Sequence, residues 1–98
     1  MSNIVFILGN KDFSSILGSK TNDISSIINA NAFEDIYGFI SLSDKIYLVV
    51  FGSDIQYDAS MFDTDNIIVV TNEEDNLDNL AENICKEFGF KVRSEVTF

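Results

Sequence analysis

The chain has 98 residues, which is enough for one domain and one hydrophobic core. Sixteen acidic residues against six basic ones give a net charge of −10, so phosphate backbones and anionic membrane surfaces repel the protein. A single cysteine excludes an internal disulfide, and the absence of histidine excludes imidazole catalysis and histidine metal ligands.

No segment has the pattern of a signal peptide, and the longest apolar run, 46–52, is far shorter than the ~20 residues that cross a bilayer. We therefore expect a soluble cytoplasmic protein that consists of one globular domain over residues 1–98.

The N-terminal part of the chain predicts one strand and one or two helices. A continuous apolar run predicts a buried strand over 4–8, and a short helix is predicted over 11–18. A second short helix is predicted after residue 21, because apolar side chains recur there at helical spacing. These side chains are Ile24, Ile27 and Ile28.

The middle of the chain predicts two further strands, over 36–42 and 45–51. The dipeptide Ser43-Asp44 between them predicts a tight hairpin, although it lacks the Asn-Gly or Asp-Gly signal. Residues 53–66 then form a long connection that is too polar for a core and too aromatic for a simple spacer.

The last third of the chain predicts a strand, a helix and a strand. Residues 67–70 read as a buried strand, and an amphipathic helix follows, capped by Thr71 or Asn72 and ended by Gly89. Residues 90–98 alternate between apolar and polar side chains, which predicts a strand at the edge of the sheet.

The predicted order is therefore β-α-(α)-β-β-β-α-β, which indicates a single small α/β (α+β) domain. We expect a mixed five-stranded sheet with two or three helices packed on it. A ferredoxin-like arrangement with one added strand and a small flavodoxin-like layering both fit this order.

Acidic residues are concentrated in one stretch, from Ile46 to Cys85. Its forty residues contain nine carboxylates and no lysine or arginine. Within it, apolar side chains alternate with aspartates between Asp54 and Asp65, which is typical of a surface that binds a basic protein. The candidate partner-binding residues here are Asp54, Tyr57, Asp58, Met61, Phe62, Asp63 and Asp65. The alternative is a loop that packs Tyr57 and Phe62 on the core while its acids face water.

The predicted last helix adds three candidate partner-binding residues, Glu74, Asp78 and Glu82, spaced four apart. Their Cα atoms rise about 6 Å per step, close to the spacing of phosphates along a nucleic-acid strand, which is up to about 7 Å. Mimicry of nucleic acid is one reading of this row, and an ordinary solvated helix face is the other.

Three turns follow predicted strands: Gly9-Asn10-Lys11, Gly52-Ser53-Asp54 and Thr71-Asn72-Glu73. If those strands are parallel, the turns meet at one edge of the sheet, where α/β proteins bind ligands. Asp12, Asp54 and Glu73 could then hold a divalent cation through oxygen ligands. The simpler interpretation is that Gly and Asn make turns and acids cap helices, because no EF-hand spacing is present.

No catalytic motif is present. Cys85 falls late in the predicted helix beside apolar residues, whereas a reactive thiolate sits at a helix N-terminus or beside a cation, so we expect Cys85 to be buried and inert. A serine triad cannot be built without histidine. We expect no enzyme, no cofactor and no metal site.

The sequence therefore favours a small acidic inhibitor that neutralises a basic partner, such as a nuclease toxin or another nucleic-acid-handling protein. Immunity proteins and anti-defence proteins share this physical character. One alternative is a small ligand- or divalent-metal-binding domain that uses the three turns. Another is an assembly subunit that pairs through the strand predicted over 90–98.

Overall fold

Four strands and two α-helices form the framework of the computed structural model, which describes residues 3–39, 45–71 and 76–93. The elements in chain order are β1 (Asn3–Leu8), α1 (Phe13–Lys20), β2 (Ser26–Ala30), a 3₁₀ helix (Phe33–Phe39), β3 (Lys45–Phe51), two short 3₁₀ helices (Ala59–Met61 and Thr64–Asn66), β4 (Ile67–Val70) and α2 (Leu77–Phe88). None of the described helices is long and apolar enough to cross a membrane.

The four strands are all parallel and lie in the order β2-β1-β3-β4. Strand β1 lies between β2 and β3, with Phe6 opposite Ile28 on one side and Leu48 on the other. Parallel crossovers are right-handed, so the connections from β1 to β2 and from β2 to β3, which run in opposite directions along the sheet, cross opposite faces. Helix α1 accordingly covers one face and the 3₁₀ helix before β3 covers the other.

Side chains of the central strands alternate between two cores. Val5 and Ile7 of β1 face the two α-helices, while Phe6 and Leu8 face the 3₁₀ helices. The continuous apolar runs of β1 and β3 are therefore explained by burial on both faces, as the sequence predicts.

Helix α2 begins and ends at local signals. The Asn76 side chain accepts a hydrogen bond from the Asn79 backbone N–H at 3.1 Å, and Gly89 ends the helix in the left-handed conformation at φ +82°. The predicted end at Gly89 is confirmed. So is the apolar stripe, made by Leu77, Leu80, Ala81, Ile84 and Phe88. The cap of the described helix is Asn76 rather than the predicted Thr71, and the other predicted cap, Asn72, lies outside the described residues.

The helix predicted after residue 21 is wrong, because Ser26–Ala30 is strand β2. Ile27 packs against the α-helical core and Ile28 against the opposite core. Two adjacent isoleucines on opposite faces follow the two-residue period of a strand, and β-branched side chains favour that conformation.

The strand predicted over 36–42 is also wrong where the chain is described, because residues 36–39 belong to the 3₁₀ helix Phe33–Phe39. Residues 40–44, including the predicted hairpin turn Ser43-Asp44, lie outside the described residues. Strand β3 pairs in parallel with both of its neighbours, so the sheet of the described residues has four parallel strands rather than the predicted five in mixed directions. The parallel strand order β2-β1-β3-β4 fits the flavodoxin-like alternative better than the ferredoxin-like one.

Residues 90–93 do not form a regular strand. Val92 makes an isolated antiparallel bridge with Thr21, and the Arg93 N–H donates to the Lys20 carbonyl at 2.7 Å. Residues 94–98, the rest of the predicted edge strand, lie outside the described residues. The assembly surface predicted there stays a prediction.

Candidate functional site

The face of the sheet opposite the α-helices is covered by two segments, residues 33–39 and 53–66, which we call the 3₁₀ layer. Both contain 3₁₀ helices, and both pack on the core formed by the even-numbered residues of β1 and β3. Of the ten candidate partner-binding residues, the seven between Asp54 and Asp65 fall in this layer.

Phe62 anchors the segment 53–66 to the sheet. Its ring centroid lies 6.4 Å from that of Phe6 and 6.1 Å from that of Phe33, and its side chain is buried. Tyr57 and Met61 are half-buried against the same core. The structure thus places Phe62 in the core and leaves Tyr57 and Met61 partly accessible.

The aspartates of this segment all face water. Asp54, Asp58, Asp63 and Asp65 are exposed. One oxygen of Asp58, Oδ1, accepts hydrogen bonds from the Ser60 backbone N–H at 3.0 Å and from its hydroxyl at 2.6 Å. Asp58 therefore caps the 3₁₀ helix Ala59–Met61, so its carboxylate is held in one position at the surface.

The other segment contributes residues that the sequence analysis did not assign to the site. Glu34 and Asp35 are exposed in the first turn of the 3₁₀ helix Phe33–Phe39, and Tyr37 and Phe39 expose 50% and 55% of their surface. The β-rich composition of residues 36–42 predicted a strand, which assigned these rings to a sheet. The adjacent pair Glu34-Asp35 followed by Gly38 was the available signal of an exposed turn.

Electrostatically, the 3₁₀ layer is uniform. Its two segments contain six carboxylates, all exposed, and no lysine or arginine, which gives a charge of −6. The six are Glu34, Asp35, Asp54, Asp58, Asp63 and Asp65. Lys45, at the amino end of β3, lines a cleft at the border of the layer beside Met61 and Asp63.

The predicted row on the last helix lies on the other face of the sheet. Asp78 forms an ion pair with Lys20 of α1 at 2.9 Å, and Glu82 is half-buried. Glu74 lies outside the described residues. The structure therefore does not gather the ten candidates on one surface, although the 3₁₀ helix Thr64–Asn66, which includes Asp65, contacts α2.

The turns after β1 and β3 lie at the same edge of the sheet, because the two strands are parallel neighbours. Of the third turn, Asn72 and Glu73 lie outside the described residues. The edge is tightly packed between β1 and β3. Gly9 has φ +92°, and a Cβ placed on it would lie 2.5 Å from the Phe51 carbonyl oxygen and 2.8 Å from the Ile55 side chain. Only glycine fits this position.

Among the described residues no three acidic or cysteine side chains group together as they would around a metal ion. Asp12 and Asp54 are both exposed, and Glu73, the third residue proposed for a cation, lies outside the described part of the chain.

Cys85 is fully buried between α2 and the sheet, as predicted. Burial, together with the nearby carboxylates of Asp23 and Glu82, raises the pKa of its thiol to about 11, while Lys20 acts in the opposite direction. A thiol with a raised pKa is a poor nucleophile at neutral pH. Its position therefore argues against a catalytic role.

Comparison with known proteins gave no match to a family model, a curated protein or a solved structure.

Proposed function

We propose that this protein is a small acidic inhibitor that binds and neutralises a basic protein through its 3₁₀ layer. The observation that carries the proposal is the concentration of carboxylates, without a base, in the 3₁₀ layer. The 3₁₀ layer has six exposed carboxylates and no base, hence −6, whereas helices α1 and α2 together have three carboxylates and two lysines, hence −1.

A face that carries only negative charge affects the rate at which a partner associates and the orientation in which it binds. A basic partner is attracted to this face from a distance, and electrostatic steering of this kind raises association rates to about 10⁸–10⁹ M⁻¹s⁻¹ at low salt. Exposed rings within the same layer, Tyr37 and Phe39, supply the apolar contact area that slows dissociation.

The chemical class of the partner follows from the same surface. A protein that binds nucleic acid presents lysine and arginine to phosphates, and carboxylates can occupy such a groove in their place. We therefore propose a nuclease, or another nucleic-acid-handling protein, as the target. Immunity proteins and anti-defence proteins act in this way, with nucleic-acid mimicry as one mode of binding.

The first test is affinity capture from a lysate of the source cell, using the tagged protein and washes of increasing salt. We expect one basic protein in stoichiometric amount, released steeply as salt screens the charges. Recovery of only scattered weak binders, all lost at moderate salt, would contradict the proposal.

A matched pair of variants separates the surface from the net charge. Glu34→Lys with Asp63→Lys changes the 3₁₀ layer, and Glu82→Lys with Glu87→Lys changes α2; each pair moves the net charge from −10 by +4 to −6. Glu34 and Asp63 make no side-chain hydrogen bond in the described chain, so folding is spared. We expect capture to be lost in the first variant and retained in the second.

The parallel sheet favours a second candidate function, binding of a small ligand or divalent cation at its carboxyl edge, where α/β proteins commonly bind ligands. This candidate predicts that millimolar Mg²⁺ or Ca²⁺ raises the melting temperature in a saturable way. A melting temperature unchanged by either ion would remove the cation version of this candidate.

A further inference from the structure

We infer that the open cleft between the two segments of the 3₁₀ layer binds an arginine side chain of the partner protein. This inference rests on the proposed function and names the contact at its centre. The cleft has a volume of about 350 Å³ and is lined by Phe33, Glu34, Tyr37, Gln56, Tyr57 and Asp58.

Aromatic rings form both walls of the cleft. On one side Tyr37 packs edge-on against Phe33, with ring centroids 5.4 Å apart, and half of Tyr37 remains exposed. On the other side Tyr57 is half-buried against the core. Because Phe33 is buried, the Tyr37 ring rests on a fixed neighbour and offers a preformed surface for stacking.

Acceptor groups complete the lining. Glu34 makes no ion pair or hydrogen bond within the described chain, and Asp58 uses Oδ1 for Ser60 and has Oδ2 available. Gln56 adds an amide oxygen. None of the described residues that line the cleft is basic, so a cation is attracted and an anion is repelled.

Arginine is the side chain that suits both the aromatic walls and the carboxylate acceptors of the cleft. Its flat guanidinium stacks on aromatic rings and presents donors in a fork that matches a carboxylate, whereas lysine is a compact and strongly hydrated point charge. Arginine is also enriched among the few residues that dominate protein–protein binding. The cleft and a partner arginine therefore fit as an anchor pair.

The test is an NMR titration of the ¹⁵N-labelled protein, with the amides of Gly38 and Gln56 as reporters. The probes are acetyl-Gly-Arg-Gly-Arg-Gly-amide and the same peptide with lysine in place of arginine, at low salt. We expect the arginine peptide to shift both reporters and to bind several-fold more tightly than the lysine peptide, because only its planar group gains stacking.

Variants locate the contact. Tyr37→Ala is expected to lower the affinity for the arginine peptide about tenfold or less, while Tyr37→Phe keeps the ring and therefore the affinity. Glu34→Gln is expected to weaken the peptide, whereas Asp63→Asn, which removes the same charge outside the cleft, leaves binding within about twofold.

Equal binding of the two peptides, or equal losses from Glu34→Gln and Asp63→Asn, would overturn the arginine cleft and leave the acidic-inhibitor proposal standing. Shifts confined to residues away from Gly38 and Gln56 would also overturn it. The broader proposal fails separately, when lysate capture yields no basic protein even though the peptide binds in the cleft.

Discussion

The two faces of the sheet are covered by different kinds of structure. One face carries two regular helices with a charge of −1, and the other carries short 3₁₀ helices and connecting turns with a charge of −6. Regular helices satisfy their own backbone hydrogen bonds and bury a continuous apolar stripe against the sheet. The helical face therefore contains a regularly packed core. The 3₁₀ layer places polar and aromatic side chains at irregular positions, which suits recognition better than stability.

The largest effect is expected from truncation on the helical face. Ile84 is almost fully buried between α2 and the sheet, so Ile84→Ala should lower the free energy of unfolding by about 2–5 kcal/mol. Tyr37→Ala in the 3₁₀ layer should change it by less than about 0.5 kcal/mol, because half of that ring is exposed. Urea unfolding of both variants measures the difference. Similar losses of unfolding free energy would contradict the idea that the helical face contributes more to stability than the 3₁₀ layer.

A second expectation concerns pH and again belongs to the helical face. The pKa of Cys85 is about 11 in the folded protein against an ordinary value of 9.0, so the folded state keeps its thiol proton where the unfolded state has lost it. The contribution of the thiol to the free energy of unfolding is therefore fully present below pH 9. It is lost at about 1.4 kcal/mol per pH unit as the pH rises from the unfolded-state pKa to the folded-state pKa.

Urea unfolding from pH 8 to pH 10.5 measures this loss. The comparison is with Cys85→Ala, which lacks the thiol and whose curve should fall less steeply with pH. Parallel curves for the two proteins would show that the thiol is not the cause.

A third expectation tests the packed edge between β1 and β3, where the two layers meet. Gly9→Ala should cost about 1–3 kcal/mol of stability, because the residue has a positive φ and its new methyl group would contact the Phe51 carbonyl. Gly38→Ala is the matched control in the 3₁₀ layer, since nothing lies within 4 Å of its added Cβ. We expect that control to be neutral or slightly stabilising in thermal unfolding. Equal losses would mean that the edge is not tightly packed.

The elements predicted correctly from sequence are those whose signals are local. Strands β1, β3 and β4 follow from short apolar runs, and the end of α2 follows from Gly89 after an apolar stripe. The predicted burial of β4 is wrong, because this strand lies at the edge of the described sheet and is partly exposed. The segment Phe33–Phe39 has the composition of a strand, but it folds as a 3₁₀ helix because it must carry the chain across the sheet from β2 to β3. Tertiary context of this kind overrides local propensity.

The candidate site was predicted only in part, because local sequence signals do not show which distant residues the fold brings together. Aspartates interleaved with apolar residues over 54–65 are visible along the sequence, but Glu34 and Tyr37 are about twenty residues earlier and reach the cleft only through the fold. Asp78 and Glu82 belong to the same acidic stretch in sequence, yet they lie on α2, which packs on the other face of the sheet. Charge along the chain therefore indicated the acidity of the surface but not its boundary.

The smallest expected effect sharpens that boundary. Asp78 pairs with Lys20 while 68% of its side chain is exposed, so Asp78→Asn should cost only about 0.2–1 kcal/mol of stability, and less at high salt. If the partner binds the 3₁₀ layer, this substitution should also leave partner capture unchanged, whereas Glu34→Gln, with the same change of charge, should weaken it. Capture by the two variants at matched salt is the measurement. A loss in Asp78→Asn equal to that in Glu34→Gln would contradict a partner site confined to the 3₁₀ layer, because a contribution from net charge alone does not distinguish the two faces of the sheet.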